Sequence, residues 1–130
     1  MKNKIKIISF RHWGLAAILL LAVTARAQAH ALLDHADPKV GGEVAKVPTE
    51  VDLWFTQNLE AAFSTVVVKN AKGEQVDKKD ARLDPKNAEL FKVSLPATLP
   101  AGIYTVTWHA VSADTHKTDG SFTFTIKASK

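Results

Sequence analysis

From Val51 onward, short segments of the chain alternate between apolar and polar residues. Val51, Leu53 and Phe55 share one face of a two-residue repeat. Phe91, Val93 and Leu95 do the same before Pro96, and Phe122, Phe124 and Ile126 repeat the pattern near the end. Side chains of an extended chain point alternately to opposite sides, so this period marks strands with one buried face. The longest such segment runs from Ile103 to Ser112. It puts Tyr104, Val106 and Trp108 on one side and Thr105, Thr107 and His109 on the other. Thr65 to Asn70 is a β-branched run closed by Asn70-Ala71-Lys72-Gly73, and Pro100-Ala101-Gly102 marks a further turn. No stretch beyond residue 29 repeats with the 3.6-residue period of an amphipathic helix. The charged segment Asp77 to Lys86 is expected as a surface loop or a sheet edge, with Lys78-Lys79-Asp80 in solvent. Trp54, Trp108 and Phe122 are expected in the core. Short strands separated by turns about every 8–12 residues predict an all-β fold, a β-sandwich or Greek-key barrel.

The start of the chain follows a different pattern. Lys2, Lys4, Lys6, Arg11 and Arg26 are not accompanied by any acidic residue before His30. An apolar run from Trp13 to Val23 leads to Ala27-Gln28-Ala29, the small-x-small pattern that signal peptidase reads. The run is too short to span a hydrocarbon core, which needs about 20 residues. Residues 1–29 are therefore expected to be a signal peptide, and residues 30–130 one exported domain. Composition supports this division. Five of the 17 positive charges and none of the 13 negative ones precede His30, so residues 30–130 carry 12 against 13, net −1. The overall +4 belongs to the export signal, and nucleic acid is not an expected partner. The chain has no cysteine, which excludes lipid attachment, thiolate zinc sites and iron–sulfur clusters. Its one methionine is Met1. Any metal site in the exported domain must use His, carboxylate, amide or backbone donors.

Cleavage after Ala29 makes His30 the first residue. A free N-terminal histidine offers its α-amine and its imidazole Nδ1 as one small chelate. Nitrogen donors of this kind favour Cu(II), which prefers tetragonal nitrogen and oxygen ligands. Asp114-Thr115-His116 could add a carboxylate oxygen and a second imidazole, since residues i and i+2 of an extended chain face the same way. Alone, that triplet equally describes an Asp accepting a turn amide beside an exposed His. His35 reads as an exposed loop residue, with a minor metal contact as the alternative, and His109 as a surface residue or one that supports a ligand.

The residues around these positions carry a resemblance. Trp108-His109-Ala110-Val111-Ser112-Ala113-Asp114-Thr115-His116, followed by Gly120-Ser121-Phe122-Thr123-Phe124, resembles the C-terminal signature of the CopC family of periplasmic copper-binding proteins. His30-Ala31-x-Leu33 with Pro38 and Gly41, Leu53-x-Phe55, and Pro100-Ala101-Gly102-x-Tyr104-x-Val106-x-Trp108 extend the match. The resemblance implies an immunoglobulin-like Greek-key sandwich carrying one Cu(II) ion in the periplasm. It maps the ligands onto His30, Asp114 and His116. Many members place a Glu near the metal in a Phe-Ser-Glu block, which here reads Phe55-Thr56-Gln57. Some members carry a methionine-rich Cu(I) loop, and this chain has no methionine after residue 1.

The expected function is copper homeostasis or resistance: a monomer that buffers copper or passes it to an inner-membrane partner of the CopD type, without catalysis. A copper monooxygenase built on an N-terminal His chelate and a metal-free interaction module are the rival readings. The former would keep coordination positions open for oxygen, and the latter would bind no copper tightly.

Overall fold

The computed structural model describes residues 32–129. Eight strands form two four-stranded sheets. They are β1 (Leu33–Asp37), β2 (Glu43–Val44), β3 (Glu50–Phe55), β4 (Thr65–Lys69), β5 (Arg82–Asp84), β6 (Asn87–Ser94), β7 (Gly102–Val111) and β8 (Lys117–Ile126). One sheet has the order β1-β3-β6-β5 and the other β2-β8-β7-β4. All pairings are antiparallel except β2 with β8. The chain thus crosses from one sheet to the other between β1 and β2. Gly41, in the left-handed region at φ 69°, makes that crossing, and its N–H donates to the Thr123 carbonyl at 2.7 Å.

The two-residue periods define the core. Val51, Leu53, Phe91 and Val93 from one sheet meet Val68, Tyr104, Val106 and Phe124 from the other, all essentially solvent-free. Phe55, Val66, Phe122 and Ile126 extend the same interior. This is the apolar burial that lets about 100 residues fold without disulfides. The turns expected at residues 70–73 and 100–102 are present. Asn70 Oδ1 accepts the amides of Lys72 and Glu74 at 3.0 Å each, and Tyr104 donates its hydroxyl to the Pro100 carbonyl at 2.5 Å.

Two expectations need correction, and a third holds except at one residue. Trp54 is not in the core. It lies on the outer face of its sheet, because the period that buries Leu53 and Phe55 turns residue 54 outward. His35 is not in a loop. It belongs to β1, opposite Trp54, and its ring stacks on that indole with centroids 4.3 Å apart. The segment Asp77 to Lys86 holds the edge strand β5, but Asp77 at its start is buried. Its carboxylate accepts the Val68 and Lys79 amides, both at 2.8 Å, and so ties this segment to β4.

Candidate metal centre

The candidate site lies at the tip of the longest hairpin. Strands β7 and β8 pair without interruption from Gly102–Ile126 to Val111–Lys117, and residues 112–116 close the turn. Ser112 donates its amide to the His116 carbonyl at 2.9 Å, and Thr115 donates to the Ser112 carbonyl at 2.8 Å. Thr115 takes a left-handed conformation, φ 73°, uncommon for a β-branched residue. The tight turn draws Asp114 and His116 together. Their side chains are about half exposed, with His116 Nδ1 3.0 Å from Asp114 Oδ2. The other carboxylate oxygen, Oδ1, accepts the Ser112 hydroxyl. That hydrogen bond, with His116 as the second contributor, holds the Asp114 carboxyl down at about 2. Asp114 is therefore an anion throughout the neutral range.

The turn has a firm base. Ser112 is fully buried and bridges to Leu59. Ala113 donates to the Asn58 carbonyl at 2.9 Å, and Glu60 donates to the Val111 carbonyl at 2.8 Å. Ser64 Oγ accepts the Val111 amide at 3.0 Å. The segment following β3, with its 3-10 turn Ala61–Phe63, thus props up the end of β7. Below the turn, the Trp108 ring lies between Phe55 and Phe122, with centroids 6.1 and 6.2 Å away. Gly120 faces that ring across the β7–β8 pair, and a Cβ there would fall inside the indole.

The same corner holds the beginning of the described chain. Leu32 donates its amide to Thr56 Oγ1 and accepts the Thr56 amide, both at 2.9 Å. Thr56 is two residues from Asn58, which holds Ala113. Gln57 lies between these anchors and is half-buried.

Of the residues singled out in the sequence, Asp114 and His116 are brought together. His30 lies outside the described residues. The other described histidines are elsewhere. His35 Nδ1 pairs with Asp34 Oδ2 at 2.7 Å on the outer face of one sheet. His109 Nδ1 pairs with Asp119 Oδ1 at 2.5 Å on the outer face of the other. Among the described residues, no three His, Cys, Asp or Glu side chains gather in a way that could hold a metal ion. Asp114 and His116 supply two donors, so the remaining ligands of a metal here must come from outside that set. Ser112 is the site residue that spacing alone misses. It stands two positions before Asp114, at the start of the turn that follows β7.

Residues 33–127 match the CopC domain family. Protein YobA of Escherichia coli (strain K12) is 34% identical over 115 residues, covering 88% of this chain and 93% of YobA. The copper transport protein CutJ of Bacillus subtilis is 29% identical over 116 residues, which are 89% of this chain but 21% of CutJ. Among solved structures, CopC from Methylosinus trichosporium OB3b superposes with a TM-score of 0.72 at 27% identity, covering 78% of this chain and 97% of that one. PcoC, described as a methionine-rich copper resistance protein from Escherichia coli, gives 0.65 at 32% identity, over 76% and 100%. The β-sandwich and the turn holding Asp114 and His116 are thus found in a chain that belongs to the CopC family.

Proposed function

We propose that this chain is an exported Cu(II)-binding protein that holds one ion between His30, Asp114 and His116. It would serve as a copper buffer or carrier, without catalysis. The observation that carries the reading is the 3.0 Å spacing of Asp114 Oδ2 and His116 Nδ1. With metal–ligand bonds of about 2.0–2.1 Å, two donors at that spacing subtend about 95° at an ion. That is close to the right angle of a tetragonal Cu(II) complex. The permanently charged Asp114 partly offsets the charge of the ion.

The position of the chain start supports the other half of the ligand set. Leu32 is bonded to Thr56, close to the Asn58–Ala113 contact. Two further residues reach back to His30, a span of at most about 7 Å. Cleavage after Ala29 would give His30 a free amine at that distance, so export would complete the site. Gln57 stands where many members carry Glu and is a neutral amide, so it would act at most as a weak donor or hydrogen-bond partner. CutJ is a copper transport protein nearly five times the length of the region it shares with this chain; on that likeness, the copper would be handed to an inner-membrane partner of the CopD type.

Mass spectrometry of the protein recovered from the periplasm, with and without copper, tests the reading. The expected result is a first residue of His30 and a mass increase of one copper ion. His30→Ala, or one extra residue left before His30, should lower Cu(II) affinity by about 100-fold or more, since each removes a chelating nitrogen. Unchanged affinity in both variants would overturn the proposed chelate.

A further inference from the structure

The two oxygens of Asp114 are not equivalent. Oδ1 is held by the Ser112 hydroxyl and faces the His116 amide at 3.4 Å, whereas Oδ2 lies against His116 Nδ1. Ser112 can do this reproducibly because it has no freedom of its own. Its side chain is fully buried, its amide is fixed to the His116 carbonyl, and its strand is bridged to Leu59. A serine hydroxyl has one proton. The carboxylate takes it, while the His116 carbonyl lies farther off at 3.3 Å.

We propose that Ser112 is a positioning residue that sets the metal selectivity of this site. Its hydroxyl occupies Oδ1, so Asp114 meets an ion through Oδ2 alone, held cis to the His116 imidazole. The inference rests on the reading of Asp114 and His116 as ligands. Ser112 itself touches no metal. The selectivity follows from what each ion demands. Cu(II) prefers ligands at right angles, for which two donors at about 2.0–2.1 Å stand about 2.9 Å apart. A tetrahedral ion requires about 3.3 Å, and Zn(II) has no electronic preference to be offended by other angles. The observed 3.0 Å is a hydrogen-bond contact between Nδ1 and Oδ2, and an ion taking the place of that proton would find the two donors nearer the first spacing than the second. Without the Ser112 hydroxyl, the Asp114 carboxylate can turn about its Cβ–Cγ bond or grip with both oxygens. Zn(II) tolerates that freedom, and Cu(II) loses its pre-set angle.

The test is Ser112→Ala in the mature protein, with Cu(II) and Zn(II) affinities measured separately by chelator competition. Residues that orient a metal ligand typically contribute 10–100-fold in affinity. The Cu(II)-to-Zn(II) affinity ratio is expected to fall by about 10-fold, with a changed copper EPR spectrum. A merely structural role would lower both affinities together. A ratio that stays at the wild-type value, whether both affinities hold or drop in parallel, overturns the inference. A measurement on the wild type covers an alanine variant that fails to fold. The infrared difference between copper-loaded and copper-free protein should show a monodentate carboxylate, and a bidentate one overturns the inference equally. Asp114→Ala and His116→Ala separate this from the ligand assignment. If they leave the copper EPR spectrum unchanged, the assignment itself fails. If they change it while Ser112→Ala keeps the ratio, the Ser112 inference alone fails.

Discussion

Asp52 should make this domain less stable at neutral pH than in mild acid. It lies on the outer face of its sheet, opposite Asp37 of β1 and Lys92 of β6. Its Oδ1 is buried and accepts no hydrogen bond. Burial, and after it the charge of Glu50, push this carboxyl from its ordinary 3.8 up to about 6, with Lys92 opposing and Asp37 adding to the rise. Because folding raises this pKa, the protonated group favours the folded state. That contribution is complete below the unfolded value near 4 and is lost as pH climbs through about 6. At pH 7 the ionised carboxylate is a net cost. The full shift corresponds to about 3 kcal/mol, at about 1.4 kcal/mol per tenfold. Much of the side chain faces water, which screens its neighbours, so about 1–2 kcal/mol is the expected effect. Asp52→Asn keeps the shape and removes the charge. Calorimetry of the metal-free protein should show the variant melting about 5–10 °C higher at pH 7. At pH 4 the two proteins should melt within about 2 °C of each other. An equal gain at both pH values would credit new amide hydrogen bonds and not the lost charge. No gain at pH 7 would refute the reasoning outright.

Two further substitutions probe the frame around the site. Gly120→Ala would force the Trp108 indole off its place between Phe55 and Phe122. It should cost about 1–3 kcal/mol in urea unfolding and shift the tryptophan emission, whereas an unchanged spectrum would mean that the ring does not lie against β8. Asp77→Ala would leave the buried Val68 amide without its acceptor and free the Lys79 amide. A loss of about 2–3 kcal/mol is expected, and a loss below about 0.5 kcal/mol would show that water replaces the carboxylate.

The inner faces of β3, β6, β7 and β8 were legible because burial on one face of a strand leaves a two-residue period in the sequence. The edges were not. β1 reads Leu-Asp-His-Ala-Asp, with a bulge between Leu33 and His35, and of its five residues Ala36 alone is fully buried. β2 is two residues long and pairs with the far end of the chain. β5 hides in a charged stretch, and Arg82 there bonds Glu50 across the sheet at 3.1 Å. Such strands are specified by partners distant in sequence and leave no local period. Trp54 shows the opposite error. Its size suggested burial, but its place in the alternation turned it outward, where His35 covers it.

The sequence by itself determined the strand periods, the expectation of export, the charge of residues 30–130 and the candidacy of Asp114 and His116. Each is a local property, written in neighbouring residues. Only the tertiary structure decided what holds that pair in place. The fixed orientation of Asp114 depends on Ser112 being buried against Leu59, and on Asn58 and Ser64 anchoring the end of β7. Those contacts join residues about 50 positions apart, brought together by the closing of two sheets on one apolar core. The same closure bonds Leu32, the first described residue, to Thr56 beside this turn.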